Sequence, residues 1–350
     1  MTAVAIVTGS YGAGHDAAAH ELARLLRADG AEVEVLDIVT LLPLSIGRLL
    51  RSAYHRQLRS IPRTWGRTLR LLEPGRVLHT LVTWAFALMA GRVTRAVGNV
   101  DLVLTTHPFG SQTLGHARRR GRLAVPACTY LTDASVHALW VHPGIDQHLA
   151  IHDVAAVQAR AYGGRATTVT PAVPPSGPVD RAADPLAALE IIGPRAIVTG
   201  GSLGVGELSE TALDVVATGL MTPVVLCGSD EGLRERLDRV EGVVALGWRD
   251  DVAALLATSD CVIQNAGGFT SLEALASGTP VLTYRPIPGH GVGNAVNLER
   301  AGLVPWVRTM DQLGPALSQA LERPHRNRLP DAGPTVIEVL TGARAELAAA

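Results

Sequence analysis

The residues in this chain with chemistry to offer cluster at three glycine-rich turns. The first, Thr8-Gly9-Ser10-Tyr11-Gly12-Ala13-Gly14-His15, runs into a helical pattern, and the free N–H groups of a helix start can hold an anion or the polar end of a ligand. His15 brings an imidazole to that start, a group that exchanges its proton near neutral pH. Asp133, closing a later β-rich run, is placed to orient such a ring or to act as the base itself. The plainer alternative is that His15 caps its helix and Asp133 opens a turn. The second turn is Gly200-Gly201-Ser202-Leu203-Gly204. The third, Asn265-Ala266-Gly267-Gly268-Phe269-Thr270-Ser271, opens a helix that carries Glu273. Small residues there let backbone N–H groups approach a diphosphate, and the hydroxyls of Thr270 and Ser271 add donors. Glu273, one helical turn past Thr270, can accept both hydroxyls of a ribose. The same spacing reads as a capping box, with Thr270 as N-cap and Glu273 closing it; a capped helix start is also an anion site, so both readings can hold.

Strands and helices must position these turns. Short β-rich runs at Val4 to Thr8, Glu32 to Leu36, Leu102 to Thr106 and Ala127 to Leu131 alternate with helical patterns such as Asp16 to Ala28, the rhythm of a parallel α/β sheet. Five prolines, Pro171, Pro174, Pro175, Pro178 and Pro185, interrupt helix and central strand alike. The rhythm then restarts with Ala196 to Thr199, a helix after Leu208, and runs at Val224 to Cys227, Val243 to Leu246, Cys261 to Gln264 and Val281 to Tyr284. We expect an N-terminal acceptor-binding domain over 1–172, a proline-rich linker over 173–185 and a nucleotide-binding domain over 186–330. A C-terminal helix over 331–350 has the option of packing back on the first domain. In such sheets ligands bind at the carboxyl ends of the strands. Asp37 closes the second strand as the ribose-binding acid of a dinucleotide site would. The glycine spacing, however, fits neither GxGxxG nor the short-chain dehydrogenase variant, whose second glycine would fall at Ala13.

All 31 basic residues are Arg. Without Lys, a Walker-A phosphate loop, a pyridoxal Schiff base and a Tyr-Lys dehydrogenase pair are excluded. Cys128, Cys227 and Cys261 show no CxxC spacing, so neither a disulfide framework nor a zinc cluster is implied. Residues 1–9 read as a buried strand and not a leader. The apolar stretch Val77 to Gly91 falls short of the ~20 residues a spanning helix needs and contains His79, so no transmembrane segment is expected. Up to Thr170 there are 18 Arg against 11 acids, and beyond it 13 against 21; the halves, at +7 and −8, face different partners.

From Gly267 to Pro280 the chain reads Gly-Gly-Phe-Thr-Ser-Leu-Glu-Ala-Leu-Ala-Ser-Gly-Thr-Pro, with Pro288-Gly289 and Asn294 after it. This run resembles the donor site of the MurG-like and monogalactosyldiacylglycerol synthase-like glycosyltransferases. The Gly12-Ala-Gly-His15 turn, the stretch Tyr54 to Trp65, and Leu131-Thr-Asp133 with His137 and Trp140 are similar to the diacylglycerol glycosyltransferase branch. The resemblance implies a GT-B fold: α/β, two Rossmann-like domains facing a central cleft. It implies one-step inverting transfer from a UDP-sugar co-substrate with no cofactor and no metal, and no DxD pair is present to hold a divalent ion on a diphosphate. It further implies that Glu273 binds ribose and that Gly201, Ser202 and Gly268 to Ser271, Phe269 included, surround the diphosphate, with Gly267 also on the donor side. The backbone at Trp248 and Arg249 would meet uracil, and His290 and Asn294 would lie toward the sugar. Gly12, Gly14, His107, His137 and Trp140 fall on the acceptor side. Where lipid galactosyltransferases carry Gln and Glu after Pro-Gly, this chain has His290 and Gly291, so a contact that reads sugar hydroxyls is altered.

The acceptor is addressed by the stretch Arg48 to Arg76, with eight Arg against one acid, Glu73, and interleaved Leu49, Leu50, Tyr54, Leu58, Ile61, Trp65, Leu69 and Leu72. An apolar stripe, a basic face and interfacial aromatics describe a segment lying on an anionic membrane, with Arg51, Tyr54, Arg59 and Trp65 as contacts; an ordinary surface helix whose Arg stems cover its own core is the alternative. The expected acceptor is a lipid such as diacylglycerol, and the expected place is cytoplasmic, peripheral on the inner face of the cell membrane. A secondary metabolite or a prenyl phospholipid is the alternative acceptor. No nucleic acid partner is expected, since no recognised binding motif accompanies the charge. Competing functions are a UDP-sugar epimerase of the same fold and a non-catalytic nucleotide-sugar or lipid-binding protein.

Overall fold

The computed structural model describes residues 1–41, 46–60, 62–174, 184–189, 191–322, 329 and 333–348, and of residues 46, 58–60, 62, 63, 65 and 343–348 the backbone only. The chain forms two compact units, one of Met1–Gln57, Thr64–Ala172 and Pro330–Ala350, the other of Leu58–Arg63 and Val173–Leu329. Most of the expected linker, 175–183, lies outside the described residues.

The first unit is built on six parallel strands: β1 Ala3–Thr8, β2 Glu32–Asp37, β3 Leu102–Thr105, β4 Ala127–Leu131, β5 Gln147–Ala150 and β6 Ala166–Thr168, in the order β2-β1-β3-β4-β5-β6. β1 pairs on one side with β2 (Val4 opposite Val33) and on the other with β3 (Val4 opposite Leu102). The chain therefore changes direction across the sheet between β1 and β3, and the loops leaving those two strands flank the switch point where α/β sheets bind ligands. The helices are α1 Ala13–Ala28, the single turn α2 Ile38–Leu41, α3 Ile46–Ser60, α4 Pro62–Leu71, α5 Val77–Val97, α6 Pro108–Arg119 and α7 Asp153–Ala161.

α5 bears on the expectation of no spanning segment. The apolar stretch continues past Gly91 into one 21-residue helix, long and apolar enough to cross a membrane by length and composition. Its stripe Phe86, Ala87, Ala90, Val93 and Val97 is buried, and Ala90, Val93 and Val97 pack with Ala5, Val7 and Val103 of the sheet. That stripe is the face by which the helix joins the core of the first unit. Its other face leaves Val77, Leu78, Leu81, Trp84 and Leu88 exposed.

The second unit repeats the plan with β7 Arg195–Thr199, β8 Thr222–Leu226, β9 Val244–Leu246, β10 Cys261–Gln264, β11 Val281–Tyr284 and β12 Trp306–Val307, all parallel, in the order β12-β11-β10-β7-β8-β9. Its switch point lies between β7 and β10. Helices α8 Leu208–Thr218, α9 Glu231–Leu237, α10 Val252–Thr258, α11 Phe269–Ala276, α12 His290–Arg300 and α13 Met310–Glu322 accompany the sheet. Ala196, Val198, Leu208, Val215, Val225 and Ile263 form its core with Leu313 and Leu317. α14, Val336–Ala348, counts with the first unit, and the strap before it is bonded there, where the Thr170 amide donates to Pro334 O at 3.1 Å and its hydroxyl to Gly333 O at 3.1 Å.

Candidate active site

In the first unit the turn after β1 and the loop after β3 meet at the switch point. His15 lies in the first turn of α1, whose N-cap is the extended Gly12, with Gly14 beside it. Its Nδ1 is 2.8 Å from the Thr106 carbonyl and 3.1 Å from the Thr132 hydroxyl. A carbonyl can only accept, so Nδ1 carries the proton and the lone pair of the neutral ring sits on Nε2. Thr106 also donates its hydroxyl to His15 O at 3.0 Å, tying the helix start to the end of β3. Beside the ring, His107 stands edge-on at 4.7 Å and Trp140 is tilted at 5.8 Å between centroids. His107 is buried; its Nδ1 accepts from Phe109 N at 3.2 Å and its ring stacks on Tyr11 at 5.1 Å. Burial, with His15 and His137 nearby, holds its pKa well below the ordinary value, so it stays neutral. Gly9 is required by this packing, because a Cβ there would lie 2.6 Å from His107 Cγ.

Several expectations are revised. Asp37, where the glycine spacing already argued against a dinucleotide site, closes the glycine turn: it accepts from Ser10 N, Ser10 Oγ at 2.6 Å and Val39 N at 2.9 Å. Arg51 and Tyr54, assigned to a membrane face, turn to this turn. Arg51 donates to Ser10 Oγ at 3.1 Å, and Tyr54 packs edge-on against Tyr11 at 5.7 Å; burial and the Asp133 carboxylate push the Tyr54 hydroxyl pKa up. Helical periodicity shows which residues share a face but not which neighbour that face meets. The side chains of Arg59 and Trp65 lie outside the described residues. Trp140 is 1% exposed, with its Nε1 buried and unpartnered, which makes it a wall beside His15. His137 precedes a 3-10 turn, Ala138–Trp140, with its ring 6.3 Å from the Trp140 ring. Asp133 follows β4, half-buried, next to Thr132. Thr106, whose carbonyl fixes the His15 tautomer, and Thr132, whose hydroxyl lies beside the same nitrogen, escaped sequence reasoning. They stand 91 and 117 residues from His15, and the only local sign was their adjacency to His107 and Asp133.

In the second unit the loops after β7, β10 and β11 converge at the other switch point. Gln264 bends the β10 loop by accepting from Gly267 N while its amide donates to Thr283 Oγ1 at 2.6 Å. Gly267, at φ +70°, lies against α12, where a Cβ would come 2.7 Å from Asn294 Cβ. Asn294 is fully buried and donates to Ala266 O at 2.8 Å, so it holds the loop from behind. The capping box is not formed. α11 begins two residues before the expected start, at Phe269, with Gly268 as N-cap and no side-chain cap, because a glycine run admits the turn without one. Thr270 thus sits inside the first helical turn, half-buried with Gly268, while Ser271 is buried with its hydroxyl unpartnered. Glu273 is half-buried on α11, and desolvation alone raises its pKa to about 7.

Around these residues, Gly201 N donates to Thr199 Oγ1 at 3.2 Å and Ser202 O accepts from Ser229 N at 2.9 Å. Trp248 is exposed beyond β9 and donates to Asp250 at 2.9 Å, and Arg249 pairs with Asp251. His290 is the first residue of α12, after Gly289. Among the described residues no group of three or more His, Cys, Asp or Glu side chains is placed to hold a metal ion.

Residues 15–175 match the sequence profile of the monogalactosyldiacylglycerol (MGDG) synthase family. A processive diacylglycerol beta-glucosyltransferase of Bacillus subtilis is 27% identical over 218 residues, 58% of this chain and 56% of that protein. The chain thus spans little more than half the length of that relative. Among solved structures, HepE of Anabaena in complex with UDP-glucose superposes with a TM-score of 0.61 at 15% identity, covering 100% of both chains. MurG of Acinetobacter baumannii superposes at 0.54 and 15% identity over 98% of this chain and 99% of that one. This chain is similar, through residues 15–175, to the monogalactosyldiacylglycerol synthase family, and its two sheets have the GT-B fold.

Proposed function

We propose that this chain is an inverting, metal-independent glycosyltransferase that moves a sugar from a UDP-sugar to the hydroxyl of a lipid such as diacylglycerol. The observation that carries the proposal is the His15 ring, held with Nδ1 donating to the Thr106 carbonyl, so that the neutral ring carries its lone pair on Nε2. That is the state a general base needs. Nε2 takes the acceptor proton as the acceptor oxygen bonds to the anomeric carbon. The bond from that carbon to the diphosphate breaks on the opposite face, and the configuration inverts. Asp133 is the alternative base. On the donor side the N–H groups at the start of α11, from Gly268 to Thr270, receive the charge of the departing diphosphate. The Glu273 carboxylate accepts the ribose hydroxyls.

The acceptor assignment draws on the likeness of residues 15–175 to a lipid-synthase family and on α5. Its face of Val77, Leu81, Trp84 and Leu88 is exposed, and the chain from Arg48 to Arg95 carries one acid, Glu73. An apolar face with basic surroundings suits a peripheral protein on an anionic bilayer, and three buried free cysteines suit a reducing cytoplasm. The test is a panel of UDP-sugars with and without diacylglycerol in anionic liposomes, with UDP release and product mass followed together. Lipid-dependent UDP release with a matching glycolipid mass is the expected result. Conversion of the UDP-sugar without acceptor, or UDP-sugar binding without turnover on any acceptor, would replace the proposal with an epimerase or a binding protein.

A further inference from the structure

Arg285 directly follows β11 and has φ +48°, the only non-glycine residue among those described with positive φ. It also precedes Pro286, a position that favours extended backbone. Such a conformation persists where the surroundings over-determine it, and here the side chain does so. Nη1 donates to Glu207 at 2.6 Å, while Nη2 and Nε donate to Asp214 Oδ2 at 2.8 and 3.1 Å. The Tyr284 hydroxyl donates to the same Asp214 oxygen at 2.9 Å, and the guanidinium carbon stands 5.3 Å from the Tyr284 ring centre. Glu207 is the N-cap of α8 and Asp214 lies two turns along it, so one guanidinium ties the end of β11 to the helix that follows the Gly200–Gly204 turn.

The next residues reach the donor loops. Ile287 N donates to Asn265 O at 2.8 Å, and the Asn265 side chain donates to Val205 O at 2.8 Å. Three loops therefore meet at Asn265, and the direction in which Pro286 to Gly289 leave β11 is set one residue earlier, by Arg285. We infer that Arg285 is a positioning residue: by clamping itself to Glu207 and Asp214 it holds the β11 loop in the register that shapes the nucleotide-sugar site. This rests on the donor reading proposed above.

The test is UDP-glucose binding by calorimetry to the full chain and to Arg285→Gly, Arg285→Lys, Asp214→Asn and the double variant Arg285→Gly/Asp214→Asn, with thermal midpoint and amide exchange alongside. Glycine accepts the backbone conformation but removes the clamp. The expected result is at least tenfold weaker binding in Arg285→Gly, a smaller loss in Arg285→Lys, and faster exchange at the Ile287 amide with the β10 and β7 amides unchanged. In the Asp214→Asn background the loss on removing Arg285 should shrink, because the two act as one unit; fully additive losses would mean that Arg285 meets the ligand directly and would overturn the positioning role. Binding within twofold of the parent in Arg285→Gly overturns the inference alone. A parent chain that does not bind UDP-glucose overturns the donor reading and the inference together. A fall in thermal midpoint with faster exchange throughout the sheet reduces Arg285 to a fold-stabilising residue. Should Arg285→Gly not fold, Asp214→Asn decides the matter, with at least threefold weaker binding expected and no change refuting.

Discussion

If Glu273 receives the ribose hydroxyls, its raised pKa makes donor binding depend on pH. The carboxyl titrates at about 7 because it is desolvated on α11, and two hydroxyl donors favour its ionised form. Binding should therefore strengthen as pH rises through 7 and level off above it. When only the ionised form binds, the apparent Kd scales as one plus ten to the power of the pKa minus the pH. From the value of about 7, the Kd should be roughly tenfold weaker at pH 6 than at pH 8, about 1.4 kcal/mol. At pH 7 roughly half a proton should be released on binding, readable by calorimetry in two buffers of different ionisation enthalpy. UDP-glucose is the right probe, since its diphosphate is a diester and stays ionised throughout this range. Glu273→Gln should abolish the pH response and the proton release and weaken binding about 10- to 100-fold, the order expected when hydrogen bonds to a charged acceptor are lost. A pH-independent Kd in the parent chain, or a pH response that survives in Glu273→Gln, would refute the reasoning.

His15→Ala should lower kcat by about two to four orders of magnitude, the usual worth of a general base, while UDP-glucose affinity stays within twofold; unchanged turnover removes His15 from the reaction. Gly9→Ala puts a methyl group 2.6 Å from His107 Cγ and should cost about 1–3 kcal/mol of stability as the His107 and Tyr11 rings shift, seen as a lower thermal midpoint; an unchanged midpoint would mean that this packing yields easily. Trp84→Ser with Leu88→Ser, both exposed on α5, should reduce sedimentation with anionic liposomes severalfold while leaving UDP-glucose binding intact, and equal sedimentation would move membrane contact elsewhere.

Much of the architecture was legible because it is written in local patterns. Each glycine turn follows a short buried run and opens a helix, which placed the loops after β1, β7 and β10 where the structure has them. β5, β6 and β12 were not legible: β5 and β6 read Gln-His-Leu-Ala and Ala-Thr-Thr, without the run of large apolar residues that marks the other short strands, and β12 has only two residues. The start of α11 was misread because Thr270 and Glu273 have capping-box spacing while Gly268 takes the cap position without a side chain. The contacts of Arg51 and Tyr54 with the first glycine turn were not legible because their partners, Ser10 and Tyr11, lie more than forty residues away. Arg285 carried no local signal at all, since its meaning depends on two carboxylates 71 and 78 residues distant.

The most direct test of the account is the anomeric configuration of the product formed from an α-linked UDP-sugar and diacylglycerol in chelator-treated buffer, read by NMR coupling at the anomeric proton, with His15→Ala run in parallel. The account predicts a β-linked glycolipid, formed without added metal and nearly absent from the variant. An α-linked product, or a β-linked one that forms at equal rate without His15, would contradict it.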